Sequence, residues 1–279
     1  LIPSDTACFP AKVVHGHIQQ LLNMHLDTIF YPCMTYNVDE NQSDNHYNCP
    51  IVAYYPQVIE SNMDLGDTKF ISPFLSFDDE KRFVKAIELH FGKAGISFKA
   101  KDIRIALHAA VNEYNEFMYQ LHIKHNELVD YARAHHHHHP MVVLCGRPYH
   151  LDPLINHQIN QLLTQLGFVV LSEESVPAQK PHSTHVLNQW TYHARLYQAA
   201  HYVCENEDMH LVQLVSFGCG IDAVTTDEVK EILQTADKFY TQIKIDEVDN
   251  LGAVRIRLRS LKGAIEEKMN QSDAGTGGA

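Results

Sequence analysis

Of the six cysteines in this 279-residue chain, Cys8, Cys33, Cys49 and Cys219 stand where the sequence turns, beside expected strand ends or helix starts. Proline marks the first three, in CFP, PC and NCP, and glycine flanks the fourth in FGCG. Such surroundings hold a thiolate on a rigid turn and present backbone N–H groups to its sulfur, the environment that tunes an iron–sulfur centre. Free cysteine is also among the most buried and inert of residues, and no CxxC pair is present. Spacing alone therefore leaves a shared metal site and a set of structural thiols both open. Cys145 and Cys204 lie inside an apolar strand and an apolar helix end, and read as core.

A second group follows Cys145. In GRPYH, Gly146 to His150, a strand gives way to a helix, which should turn Arg147, Tyr149 and His150 toward a ligand cleft. Arg147 would pair there with an anionic ligand or with a structural carboxylate, and His150 is suited to moving protons. His15 and His17 in HGH are two residues apart, which puts them on different faces of a helix and argues against a zinc site. Arg255, Arg257 and Arg259 in VRIRLRSL read as a solvated helix face or a docking surface. Asp246 and Glu247 in KIDEV have no carboxylate partner at a usable spacing. The run His135 to His139 is an inserted tract or a natural loop, and on either reading it binds metal resins without being a native site.

The elements that position these residues follow from periodicity. CFPAKVVHGHIQQLL predicts a helix, with Pro10 in its tolerant first turn. DTIFYPC predicts a buried strand stopping at Pro32 with Cys33 at its carboxyl end, and CPIVAYYP a second strand entered from Cys49. Helices are expected over about Asp78 to Lys93 and Lys101 to Ala134. Beyond the histidine run, MVVLCGRPY, DPLINHQINQLLTQLG and FVVLSEES alternate as strand, helix, strand, the pattern of a right-handed parallel βαβ unit. A helix around Gln189 to Ala200, a strand in MHLVQLVSFGC, a helix in TTDEVKEILQTADKF, a strand in YTQIKIDEV and a last helix from about Gly252 to Met269 complete the pattern. The expected fold is α/β, with two Rossmann-like doubly wound parallel-sheet domains, 1–134 and 135–279, and ligands in a cleft at the carboxyl ends of their strands.

Composition bounds the function. Hydrophobic residues make up 45% and charged residues 20%, which is globular and argues against disorder. A formal charge of -12 repels a phosphate backbone, so nucleic acid is not an expected partner. No apolar run approaches the roughly 20 residues needed to cross a bilayer and no export signal opens the chain, so the expected location is cytoplasmic and the thiols reduced. A start at Leu1 without methionine and an AGTGGA end read as cut edges of something longer. No GxxxxGK[ST] motif occurs, so ATP hydrolysis is not expected of this chain.

Five stretches carry a resemblance: SDTACFPAKVVHGHIQQLL, YNCPIVAYYPQVIESN, GRPYHLDPLINHQINQLL, VSFGCGIDAVTTDEVKEIL and KIDEVDNLGAVRIRLRSL. In that order they resemble the segment attached to large bacterial activators of 2-hydroxyglutaryl-CoA dehydratase type. That segment is similar to the iron–sulfur D component of 2-hydroxyacyl-CoA dehydratases and benzoyl-CoA reductases. The resemblance implies a [4Fe-4S] or larger iron–sulfur cluster in an interdomain cleft, with Cys8, Cys49 and Cys219 as ligands and Cys33 as a fourth whose position relatives often fill with another residue. It implies electrons from an ATP-hydrolysing activator domain or subunit, and a small molecule or acyl-CoA as substrate. Gly218 and Gly220 would let the cluster approach the backbone, and the helix from Asp222 onward would point its amino terminus at it. The other reading is a non-catalytic ligand-binding or regulatory segment of a larger activator protein.

Overall fold

The computed structural model describes residues 7–135, 139–184, 187–216, 218–246 and 250–276. Three of the five histidines of the run, together with Phe217 and Glu247, lie outside these. The chain divides into two compact units. The first holds residues up to Gln120 together with Lys180–Ala194, and the second holds Leu121–Gln179 and Arg195 onward.

The first unit starts with helix α1 (Phe9–Asn23), capped by Cys8, and continues through strands β1 (Thr28–Phe30) and β2 (Cys33–Tyr36). Helix α2 (Pro50–Asn62) then crosses to β3 (Lys69–Ile71) and β4 (Phe74–Ser76), followed by α3 (Glu80–Lys93) and the first part of α4 (Ala100–His135). β1 pairs in parallel with β3, and β2 with β4, as two two-stranded sheets. Pro32 and Pro73 stand in the breaks between them, where a missing N–H interrupts the ladder. Ala11, Ile18, Ile29, Tyr55, Ile59 and Met63 form the core of this unit.

Two expectations fail here. CPIVAYYP is the start of helix α2 and not a strand: Pro50 occupies its first turn, and Ala53, Tyr55, Pro56 and Ile59 are buried at helical spacing. Cys33 opens β2 instead of ending a strand, and is fully buried. The described strands of this unit pair only in twos, which is less than a doubly wound sheet.

The second unit carries β5 (Met141–Cys145), the short helices α5 (Pro153–Asn156) and α6 (Ile159–Gln165), β6 (Val169–Ser172), most of α7 (Thr191–Glu205), β7 (Met209–Ser216), α8 (Gly220–Thr235), β8 (Tyr240–Ile245) and α9 (Leu251–Thr276). Its four strands are all parallel, in the order β6-β5-β7-β8. Every position of β5 and β7 is buried, as strands covered on both faces require. Met141, Val143 and Cys145 share a core with Val129 and Ala132 of α4, Leu196 and Val203 of α7 and Leu233 of α8. Each buried valine, leucine or methionine among them contributes about 1.5–3 kcal/mol of transfer free energy. The segment expected as one helix after GRPYH is broken by His157 and Gln158, whose φ of 50° and 61° are left-handed.

The chain is thus α/β with parallel sheets. The boundary expected after residue 134 corresponds to the far end of α4, whereas the two units divide inside that helix at Gln120. Among the described residues no helix is long and apolar enough to cross a membrane.

Candidate functional site

In the second unit the strand order changes direction between β5 and β7, and a parallel sheet opens a crevice beyond the carboxyl ends at such a point. The turns that leave these two strands carry Gly146–His150 and Gly218–Asp222. Gly146 has no room for a side chain, because a Cβ there would stand 2.3 Å from His150 Nδ1. The imidazole fills that space and accepts the Arg147 N–H at 3.0 Å through Nδ1, which leaves the ring proton on Nε2, 3.5 Å from Ser216 Oγ. Asn156 Nδ2 donates to the His150 carbonyl at 2.9 Å and braces the turn. Burial first, and the Arg147 charge second, press His150 down to about 3, so it stays neutral.

The Arg147 side chain turns to Asp222. Its two terminal nitrogens donate to the two carboxylate oxygens, Nη2 to Oδ2 at 2.7 Å, while Nε donates to the Tyr149 hydroxyl. The Ser216 N–H donates to the same Asp222 oxygen at 2.9 Å. Arginine and aspartate side chains are 3% and 5% exposed, so both charges are committed to each other. Of the three residues expected at a cleft, Arg147 and His150 are buried in this network and Tyr149 is half-buried. The structural-carboxylate reading of Arg147 is the one realised, and it makes Arg147 a clamp on the start of α8.

Cys219 is the N-cap of α8, after Gly218 at a φ of 76° that favours glycine. The helix begins at Gly220, and Asp222 lies in its first turn. A Cβ at Gly220 would meet nothing within 4 Å, so the backbone there is approachable. The helix amino terminus and Arg147 both favour a thiolate, yet burial outweighs them and the Cys219 thiol is pushed up.

Sequence reasoning passed over Glu173, directly beyond β6. It is buried, receives the Gly146 N–H, and is pushed up to about 7 by burial first and by neighbouring Glu174 second. The signal was an acidic pair closing a β-branched run, in VVLSEE. Farther along β6 a cavity of about 680 Å³ is lined by Leu121, His125, Leu128, Asn160 and Ser175, among others. Ser175 donates its hydroxyl proton to the Ser172 carbonyl at 2.7 Å, so His125 Nδ1 at 2.8 Å must be the donor to Ser175 Oγ, and Nε2 accepts from Tyr202 at 2.9 Å. Burial brings His125 down to about 4.

In the first unit Cys8 caps α1 with Pro10 in its first turn, and Cys49 caps α2 with Pro50 in its first turn. The Tyr31 hydroxyl is pushed up to about 12 by burial and then by Tyr55, Cys33 and Cys49, and Tyr55 is raised by burial and then by Cys8. Cys33 and Cys49 thus act electrostatically on Tyr31, and Cys8 on Tyr55. Burial raises Cys33, against an N–H from Gln57 that favours its thiolate. His15 is buried against the Tyr55 hydroxyl at 2.9 Å and His17 is exposed, as their spacing requires. Arg255, Arg257 and Arg259 are exposed, with Arg257 donating to the Gln242 carbonyl at 2.8 Å. Among the described residues no three histidine, cysteine, aspartate or glutamate side chains come together as metal ligands.

No curated protein matches the chain. The family model of the CoA enzyme activase uncharacterised domain matches residues 1–176, which takes in the first two capping cysteines, Cys33, the GRPYH turn and Glu173, and stops short of Cys219. With more than half its length matched, the chain belongs to the CoA enzyme activase uncharacterised domain family.

Proposed function

We propose that the chain is an iron–sulfur redox module of the 2-hydroxyacyl-CoA dehydratase type, which takes low-potential electrons from an ATP-dependent activator and reduces or dehydrates its substrate. The observation that carries this reading is the shared placement of Cys8, Cys49 and Cys219, each the N-cap of an α-helix. An N-cap sulfur faces first-turn N–H groups that have no intrahelical acceptor, and it lies at the positive end of the helix dipole. That donor set suits a thiolate-bound iron–sulfur cluster. Cys8, Cys49 and Cys219 would hold the cluster, and Cys33 is the candidate for a fourth ligand. When bound, a [4Fe-4S] or larger cluster supplies one-electron chemistry. The protein's own part is positioning: Arg147 and Ser216 fix Asp222 and with it the first turn of α8.

The test is iron and acid-labile sulfide analysis of anaerobically purified protein. Cys8→Ser, Cys49→Ser and Cys219→Ser should each abolish cluster binding, while Cys145→Ser, at a buried core thiol, should leave it intact. Protein that stays colourless after reconstitution refutes the reading. Cluster loss in Cys33→Ser as well identifies a closed, four-thiolate electron-transfer centre, and its survival leaves one iron open.

A further inference from the structure

The first unit contains a small patch of paired backbone that continues from the end of β2. Tyr36 bridges Tyr47 in antiparallel fashion and Tyr47 bridges Trp190 in parallel. The Asn37 N–H donates to the His46 carbonyl at 2.9 Å, the Asn48 N–H to Thr35 at 3.0 Å, the Tyr47 N–H to Gln189 at 2.9 Å and the Thr191 N–H to Tyr47 at 3.2 Å. Asp44 and Asn188 clasp each other, with Asp44 N–H on the Asn188 carbonyl at 2.8 Å and Asn188 N–H on the Asp44 carboxylate at 2.9 Å. Tyr36, Tyr47 and Trp190 lie side by side, with ring centroids 4.3 and 6.3 Å apart.

Side-chain hydrogen bonding is conspicuously incomplete on this well-paired backbone. Asn37 Nδ2, Gln42 Oε1, His46 Nε2, Asn48 Oδ1, Asn188 Nδ2 and Thr191 Oγ are buried atoms with no hydrogen-bond partner in the protein. Asn48, Asn188 and Thr191 are only 6%, 5% and 2% exposed. Buried polar atoms are nearly always partnered, and each one left without a partner costs about 1–3 kcal/mol. Most of the buried unpartnered side-chain atoms among the described residues fall in this one patch. A random shortfall would be scattered, so a common partner for the set is the simpler cause.

The chemistry of that partner can be read from the groups. Two acceptors, Asn48 Oδ1 and Gln42 Oε1, require donors, whereas two amide nitrogens, Asn37 Nδ2 and Asn188 Nδ2, require acceptors. The Thr191 hydroxyl serves either. No lysine or arginine occurs between Lys12 and Lys69 or between Lys180 and Thr191, while Asp39, Glu40 and Asp44 lie in the loop itself. The segments that build the patch therefore offer a carboxylate or phosphate no cation of their own and three like charges. We propose that this patch is a binding site for an uncharged, amide-bearing ligand, whose N–H and C=O groups satisfy the asparagine, glutamine and threonine side chains. The site goes beyond the iron–sulfur reading and is independent of it, since the ligand makes no use of a thiol.

The experiment titrates cluster-free chain with N-acetylglycinamide and, separately, with its anionic counterpart N-acetylglycine, and follows backbone amides by two-dimensional NMR. The uncharged diamide should give saturable shifts in residues 35–48 and 187–191, with a Kd on the order of 1–10 mM, as befits so small a fragment. N-acetylglycine should bind at least about tenfold more weakly. Thr191→Val removes only an unpartnered hydroxyl and should weaken diamide binding about fivefold or more. Absence of saturable shifts in these segments up to about 100 mM diamide, as expected for groups that merely hold water, overturns the proposal. Equal binding of the acid, or full affinity in Thr191→Val, overturns it as well. The two-probe comparison on the unaltered chain decides the matter even where the variant does not fold.

Discussion

Replacing Asp222 with alanine tests whether Arg147 is a clamp or a ligand-facing cation. In the structure the guanidinium is 3% exposed and its terminal nitrogens are both on Asp222, so the variant strands a full charge away from water. It also strands the Ser216 N–H, whose acceptor is the same carboxylate. Breaking a buried ion pair on one side costs about 3–5 kcal/mol. For a domain of about 150 residues that lowers the melting temperature on the order of 10 °C. Hydrogen exchange resolves the loss by region: peptides from β5, β7 and the start of α8 should exchange roughly 10²- to 10³-fold faster, through openings that the pair now restrains. Removing both charges, as Arg147→Met with Asp222→Leu, should recover all but about 1–2 kcal/mol, since the remaining cost is chiefly the orphaned Ser216 N–H. Asp222→Ala costing less than about 1 kcal/mol, or a double variant no better than the single one, would refute the clamp.

Glu173→Gln should stabilise the protein in a pH-dependent way. The folded carboxyl is raised from 4.5 to about 7, so its contribution to stability is intact below pH 4.5 and is lost as pH rises toward 7. The glutamine variant should match wild type below that window and exceed it above, by up to about 3 kcal/mol, as denaturant titrations across pH would read. His125 has the opposite sense, being lowered from 6.5 to about 4. Its contribution is present above pH 6.5 and lost as pH falls toward 4, so His125→Gln should flatten the decline in stability over that interval. Gly146→Ala should cost about 1–3 kcal/mol by thermal unfolding, because its Cβ would drive into a His150 ring that Arg147 N–H holds at Nδ1 and Ser216 Oγ approaches at Nε2.

The parts of this chain legible in its sequence are those where local pattern and tertiary environment agree. MVVLC and MHLVQLVS are apolar enough to be buried on both faces and became β5 and β7, while the apolar stripes of α3 and α8 announced their helices. CPIVAYYP was misread because a short apolar run between prolines fits either state. What decides it is the packing of Ala53, Tyr55 and Ile59, together with tolerance of Pro56 inside a helix. The break at His157 and Gln158 carries no glycine to mark it. The assignment of Lys180–Ala194 to the first unit depends on backbone pairing with residues 44–47, which lie far away along the chain. The same holds for the clamp, whose partners are 75 residues apart.

The reactivity of Cys219 shows how far local reasoning reaches. Its glycines and its place at a helix amino terminus are visible in FGCGID, and both argue for a thiolate. The opposing effect, burial, belongs to the tertiary structure and is the larger, so the thiol is raised in spite of Arg147. A thiol of this kind gives up its proton to a metal more readily than to water, because coordination supplies the positive charge that burial withholds. In metal-free protein at pH 8, Cys219 should therefore be alkylated by iodoacetamide more slowly than free cysteine, and mass spectrometry of the labelled peptide measures this directly. Alkylation faster than free cysteine would mean that the dipole and Arg147 outweigh burial, and that Cys219 is poised as a nucleophile in its own right.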